Sequence, residues 1–249
     1  MAREPKDTIN AGRGGTTRSR GIGMNGPAAG LVVFDLDGTL VDSATDLASA
    51  ASALAEELGG RPRTRAEVIG MVGEGAAVLV RRALTAAGVH PATPGATARF
   101  LTLYDARLLD TTCLYPGMRG VLDTLDPLTA LAVLTNKPAA PAERLLSGLG
   151  VRQYFIEVVG GDGPWPRKPD PAGLTALRVH ARGGPMVMVG DSPVDAETAA
   201  RAGVTFVLAR YGFGAAALSA GLVTPFVADS PDALADVIPD ALRAARDRE

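Results

Sequence analysis

Five short runs of apolar residues recur along this chain: Leu31–Phe34, Leu131–Leu134, Ile156–Val159, Met186–Val189 and Val204–Leu208. Each is too short for a helix and shows no polar alternation, the pattern of a strand buried on both faces. Between the later runs, Pro141–Leu149, Ala172–His180 and Asp195–Ala202 have helical spacing. Strands alternating with helices specify an α/β fold with a parallel, Rossmann-like sheet covered on both faces. The carboxyl ends of its strands then share one edge, and ligands of such sheets bind just beyond that edge.

One segment interrupts the alternation. Between residue 43 and about residue 112, apolar residues recur three times at helical spacing: Leu47, Ala51, Leu54 and Leu58; Val80, Ala83, Leu84 and Ala87; and Phe100, Leu103, Tyr104 and Leu108, with Arg107 out of character. Helix inserted directly after the first strand would lie as a lid over that strand's end. The expected division is therefore a disordered leader over 1–28, a core made of 29–44 and 113–249, and a helical cap over 45–112. The leader is rich in Arg, Gly, Thr and Ser and poor in large apolar side chains. It lacks the apolar stretch of a secretory signal.

Composition narrows the function. Lys and Arg number 25 against 27 Asp and Glu, a net charge of -2, so there is no basic field to hold nucleic acid or an anionic membrane surface. No apolar run is long enough to cross a bilayer. The one cysteine, Cys113, excludes an intrachain disulfide and a thiolate metal cluster, reads as a small apolar filler, and suits a cytoplasmic setting. Nothing in the sequence speaks to oligomeric state.

The strand ends carry the chemistry. Asp35 and Asp37 follow the first run, two residues apart, and in extended chain they project to the same side. Paired carboxylates repel, and a hard cation such as Mg²⁺ offsets the charge. Taken alone, Asp35-Leu36-Asp37-Gly38 also fits a plain polar turn. Three further segments argue for more. The second strand ends in Thr135-Asn136-Lys137-Pro138, whose hydroxyl and amide could donate to phosphate oxygens; Arg167-Lys168-Pro169-Asp170-Pro171 supplies a lysine; and Gly190-Asp191-Ser192-Pro193-Val194-Asp195 supplies a second acid pair. A nucleophile, a hydroxyl, a lysine and a metal-binding acid are the parts of phosphoryl transfer through an aspartyl phosphate.

In order and spacing these four segments resemble the four motifs of the haloacid dehalogenase superfamily, over Val32 to Leu208. Within it, Val41-Asp42-Ser43, Val72-Gly73-Glu74-Gly75 leading to Leu79–Leu84, Tyr115-Pro116-Gly117 and Tyr211-Gly212-Phe213-Gly214 are similar to phosphoglycolate phosphatases. The resemblance implies an Mg²⁺-dependent hydrolase of a small phosphate ester, 2-phosphoglycolate first. Pyrophosphate, a sugar phosphate or an amino-sugar phosphate are the alternative substrates, and a catalytically silent binding protein is the alternative from another class. It further implies that Asp35 attacks phosphorus and that Asp37 protonates the leaving alkoxide and then deprotonates water. Thr135 and Asn136 would bind the phosphoryl group, and Lys168 would neutralise it and Asp35. Asp35, the backbone carbonyl of Asp37, and Asp191 would hold the metal, with Asp195 behind them. The dehalogenases of the superfamily lack the second acid, so Asp37 disfavours carbon–halogen chemistry.

Other candidates rank lower. Gly70, Gly73 and Gly75 follow no strand and lack dinucleotide-loop spacing, so a cap loop facing the substrate is the better reading. Arg81 and Arg82 could approach a substrate carboxylate but fit a solvated helix face. His90 and His180 close helical stretches, and Asp42 or Ser43 caps the first helix of the insert.

Overall fold

The computed structural model describes residues 30–218 and 224–248, so the leader expected over 1–28 lies outside the described residues. The strands are β1 (Leu31–Phe34), β2 (Val41–Asp42), β3 (Cys113–Leu114), β4 (Ala130–Leu134), β5 (Glu157–Val159), β6 (Met186–Gly190), β7 (Thr205–Ala209) and β8 (Val227–Ala228). The helices are α1 (Ala44–Glu57), α2 (Arg65–Ile69), α3 (Ala76–Ala87), α4 (Ala96–Asp105), α5 (Met118–Leu125), α6 (Ala139–Gly148), α7 (Ala172–Leu177), α8 (Pro193–Ala202) and α9 (Leu234–Arg246).

Six strands form one sheet in the order β5-β4-β1-β6-β7-β8, and every pairing in it is parallel. β1 lies near the middle, with Phe34 beside Val133 of β4 and Val189 of β6. Successive residues of a strand face opposite sides, and both sides here are apolar. Val32, Phe34, Val133 and Val189 join one core with Leu122, Leu145 and Ile238. Leu31, Val33, Ala132 and Met188 join the other with Leu174 and Leu177. Burial on both faces is why these strands read as unbroken apolar runs.

Helix ends follow local chemistry. Ser192 and Asp195 form a capping box at the start of α8, with Pro193 in its first turn, and Gly203 ends it in the left-handed region. α7 is shorter than its sequence pattern suggests, because Arg178–Ala181 tightens into a 3-10 turn that ends at Arg182, with φ 52. α9 presents Leu234, Ile238, Ala241 and Ala245 to the core despite Pro239 inside it.

The helical interruption is real and spans α1 to α4. Its two connections pair as the antiparallel ribbon of β2 and β3, with Val41 opposite Leu114. A second tie lies beside the ribbon. The buried Asp46 carboxylate, in the first turn of α1, accepts from the N–H and hydroxyl groups of both Thr111 and Thr112. Cys113 sits on this surface ribbon and is exposed, which corrects the expectation of a buried filler. Among the described residues no helix is long and apolar enough to cross a membrane.

Candidate active site

The carboxyl ends of β1, β4 and β6 bring Asp35, Thr135 and Asp191 to one edge of the sheet, the last two one residue beyond the positions that the parallel register sets beside Asp35. The Asp35 N–H donates to Val189 O at 2.9 Å, extending the sheet by one residue and fixing the acid at its edge. Its carboxylate is buried and accepts from Lys168 Nζ at 2.7 Å. Lys168 also donates to Asp195 Oδ1 at 2.6 Å. The second oxygen of Asp195 is spent on the N–H and hydroxyl of Ser192. Asp191 accepts from Thr39 Oγ1 at 3.2 Å and from the Gly214 N–H at 2.7 Å.

Gly38 turns the chain out of this edge with φ +95, and any side chain there would overlap the Asp191 carboxylate. Gly212 is packed as closely against Asp191, and against Gly38 O as well. Close backbone approach at both glycines holds the Asp191 carboxylate in place.

Asp35, Asp191 and Asp195 each offer an oxygen within 4.8 Å of the others. Their three negative charges face one lysine, and the imbalance shows in their acidity. Burial pushes the Asp35 carboxyl up to about 7; Lys168 opposes the shift, while Asp195 and Asp37 add to it. Burial also lifts Asp191 well above the carboxylate range, and the charges of Asp195 and Asp35 lift it further. Burial would lower Lys168, but Asp195 and Asp35 outweigh that and hold it above the lysine range. Excess buried negative charge with an all-oxygen donor set is what a hard divalent cation neutralises. Asp35 accepts at one oxygen only and each Asp191 oxygen accepts a single hydrogen bond, whereas Asp195 accepts three, so Asp35 and Asp191 have more lone pairs to spare for it.

Asp37 occupies a different environment. Its carboxylate is not part of the acid cluster; Oδ1 accepts from Lys137 Nζ at 2.9 Å and from Ser43 Oγ at 2.5 Å, and Oδ2 lies in an ion pair 2.8 Å from the same ammonium. Lys137 also reaches Tyr104 Oη of α4 at 2.9 Å and lies 4.5 Å from the centre of that ring. Burial of Lys137 is more than offset by Asp37 and Tyr104, so its ammonium stays charged. Burial is also the main cause that pushes the Tyr104 hydroxyl up to about 12.

The acids open onto a cavity of about 50 Å³ between the sheet edge and the insert. Asp35, Asp37, Thr135 and Lys137 line its polar side, and Leu47, Val72, Leu79 and Phe100 its apolar side. Gly73 and Gly75 line it too, in keeping with a cap loop facing the site. Asn136 joins the two halves, its amide donating to Gly73 O and Lys168 O, both at 2.9 Å. Both amide protons of that side chain are thereby committed to carbonyls.

Residues ranked low from the sequence lie elsewhere. Arg82 pairs with Glu74 on the surface of the insert, and neither Arg81 nor Arg82 lines the cavity. His180 meets Glu157 at 2.5 Å, and His90 accepts from the Ala92 N–H. Asp42 caps α1 through the Ala44 N–H, while Ser43, at the N-cap position, serves Asp37 instead. Sequence reasoning missed Lys137 and Tyr104 as partners of Asp37. Their signals were a lysine directly after Thr135-Asn136, and a tyrosine on an apolar helix face, whose hydroxyl needs a partner once buried.

The model of the haloacid dehalogenase-like hydrolase family matches residues 30–203. The chain belongs to that family. Among curated members, the phosphoglycolate phosphatase of Rhodospirillum rubrum is 43% identical over 192 residues, covering 73% of this chain and 80% of its own. That of Pseudomonas syringae pv. syringae is 40% identical over 193 residues, with 74% and 70% covered. Among solved structures, a protein from Haemophilus somnus described as a predicted phosphoglycolate phosphatase superposes with a TM-score of 0.78 at 29% identity, over 87% of this chain and all of the other. This hydrolase thus shares sequence and fold with phosphoglycolate phosphatases across most of its length.

Proposed function

We propose that this hydrolase is an Mg²⁺-dependent phosphatase converting 2-phosphoglycolate to glycolate and phosphate through an aspartyl phosphate on Asp35. One observation carries the reading. A buried carboxylate held 2.7 Å from a lysine shares a small cavity with a second, separately held carboxylate two residues on. The phosphoglycolate phosphatases among the relatives favour the substrate.

Asp35 attacks phosphorus while the ester P–O bond breaks, and Asp37, entering this step protonated, delivers that proton to the departing alkoxide. Water then attacks the aspartyl phosphate, Asp37 takes the water's proton, and phosphate leaves with Asp35 restored. Lys168 offsets the charge of Asp35 and of the phosphoryl oxygens. Thr135 supplies a hydroxyl at the rim, and the Asn136 side chain contributes by fixing the Gly73 loop and the Lys168 backbone. Asp35, Asp191 and the Asp37 carbonyl, with Asp195 behind, would hold Mg²⁺, which would supply charge stabilisation to the phosphoryl oxygens. The α1–α4 insert acts as a cap that excludes water. The substrate is a free small molecule rather than nucleic acid or lipid, and a cytoplasmic setting fits the chain.

Two measurements test the proposal. Asp35→Asn should abolish Mg²⁺-dependent release of phosphate from p-nitrophenyl phosphate; a variant that keeps wild-type turnover refutes the nucleophile. A panel of small esters ranked by kcat/KM should put 2-phosphoglycolate first. A flat ranking removes the substrate and leaves the chemistry.

A further inference from the structure

Lys137 is the one cation among the described residues lining the cavity, and its ammonium donates to Asp37 Oδ1 and to the Tyr104 hydroxyl while forming an ion pair with Asp37 Oδ2. The three residues come from three places. Asp37 follows β1, Lys137 follows β4, and Tyr104 belongs to α4 of the insert. The Tyr104 ring is itself fixed, stacked on Phe100 at 6.1 Å between centroids and 2° between planes. The Lys137 ammonium is thereby contacted both by the Tyr104 ring and by the Asp37 carboxylate.

We propose that Lys137, seated by Tyr104, is a positioning residue that holds the Asp37 carboxyl group in line for proton delivery to the leaving oxygen. The insert then does more than cover the site. It completes the alignment of Asp37, because Tyr104 meets Lys137 where α4 lies against the chain that follows β4. This rests on the reading of Asp37 as the proton carrier.

The dependence on leaving group tests it. kcat/KM covers only the steps through departure of the leaving group. A p-nitrophenolate departs without a proton, whereas an alkoxide needs one. The assay compares kcat/KM of wild type, Lys137→Met and Tyr104→Phe on p-nitrophenyl phosphate, on 2-phosphoglycolate and on propyl phosphate, an uncharged alkyl ester. The expected result is a fall of about 100-fold or more on both alkyl esters for Lys137→Met, at least tenfold larger than its fall on the aryl ester. Tyr104→Phe keeps the ring stack and the apolar packing, so it should fold, and it should show the same pattern at about three- to tenfold.

Equal losses on all three esters would overturn the proposal, since a general defect in folding or phosphate binding does not sense the leaving group. A loss confined to 2-phosphoglycolate would also overturn it, by making Lys137 a reader of the substrate carboxylate. A wild type that releases phosphate from none of the three would refute the phosphatase reading itself, and with it this one.

Discussion

Asp46→Ala should loosen the root of the insert without touching the reacting groups. The buried carboxylate accepts five hydrogen bonds from four donors of Thr111 and Thr112, tying the outgoing chain at α1 to the returning chain before β3. Thr112 is buried, so its N–H and hydroxyl would be left without partners, at about 1–3 kcal/mol each. The exposed Thr111 donors can turn to water and cost less. The expected loss is about 3–5 kcal/mol, or about 10 °C in Tm for a chain of this size. Urea denaturation of wild type and variant at neutral pH measures it directly. Acid supplies an internal check. Burial opposes ionisation of Asp46, but the bonds from Thr111 and Thr112 outweigh it and hold the pKa below its ordinary value of 3.8. A depressed folded-state pKa contributes stability in full above the unfolded value and loses it as pH falls through the folded one. The difference between the two proteins should therefore be constant above about pH 5 and shrink below about pH 4. A difference under about 0.5 kcal/mol at neutral pH, or one that persists unchanged in acid, would refute the reasoning.

Mg²⁺ should raise Tm in a concentration-dependent way, by about 2.7 kcal/mol of added stability at a hundred times its Kd, read by thermal denaturation with and without EDTA. Gly38→Ala should abolish that Mg²⁺-induced shift, because the new methyl group would occupy the space of the Asp191 carboxylate; an undiminished shift would exclude Asp191 from the metal site. Arg82→Ala should change stability by less than about 1 kcal/mol, since its pair with Glu74 is exposed, and should leave KM for 2-phosphoglycolate unchanged.

Much of the fold is legible in the sequence because the physics there is local and strong. β1 matches its apolar run residue for residue, and β4 to β7 fall within a residue of theirs; β1, β4 and β6, buried on both faces, hold no polar side chain, while the less buried β5 and β7 admit Glu157 and Thr205. β2, β3 and β8 hold two residues each and leave no periodic trace. α9 escapes notice because Pro239 interrupts an otherwise amphipathic pattern among mixed charges. The acids of the site are legible for the same reason as the strands: each stands where an apolar run stops. The pairing of Asp37 with Lys137 is not, because it spans 100 residues and depends on β1 and β4 being neighbours in register. Tyr104 is hidden differently. On a helix wheel it counts as an apolar residue, and only its place over the sheet edge turns its hydroxyl toward Lys137.

The two acids of β1 therefore carry one motif but not one environment. Asp35 shares Lys168 with Asp195 and faces Asp191, a cluster short of positive charge and suited to a cation. Asp37, two residues away, has a lysine of its own and a serine, and stands outside that cluster. Carboxylates close together ordinarily perturb one another, and separate counter-charges are how a site keeps two of them in different roles. The separation follows from topology. Lys168 arrives from the loop before α7, entirely within the core, while Lys137 sits where the insert meets the core and is gripped by Tyr104. Displacing the insert would leave the surroundings of Asp35 intact and remove one of the contacts that place Lys137 on Asp37. On the proposed roles, the nucleophile would be built into the sheet edge, while the proton carrier would rely on a residue of the insert for one of the contacts that place it.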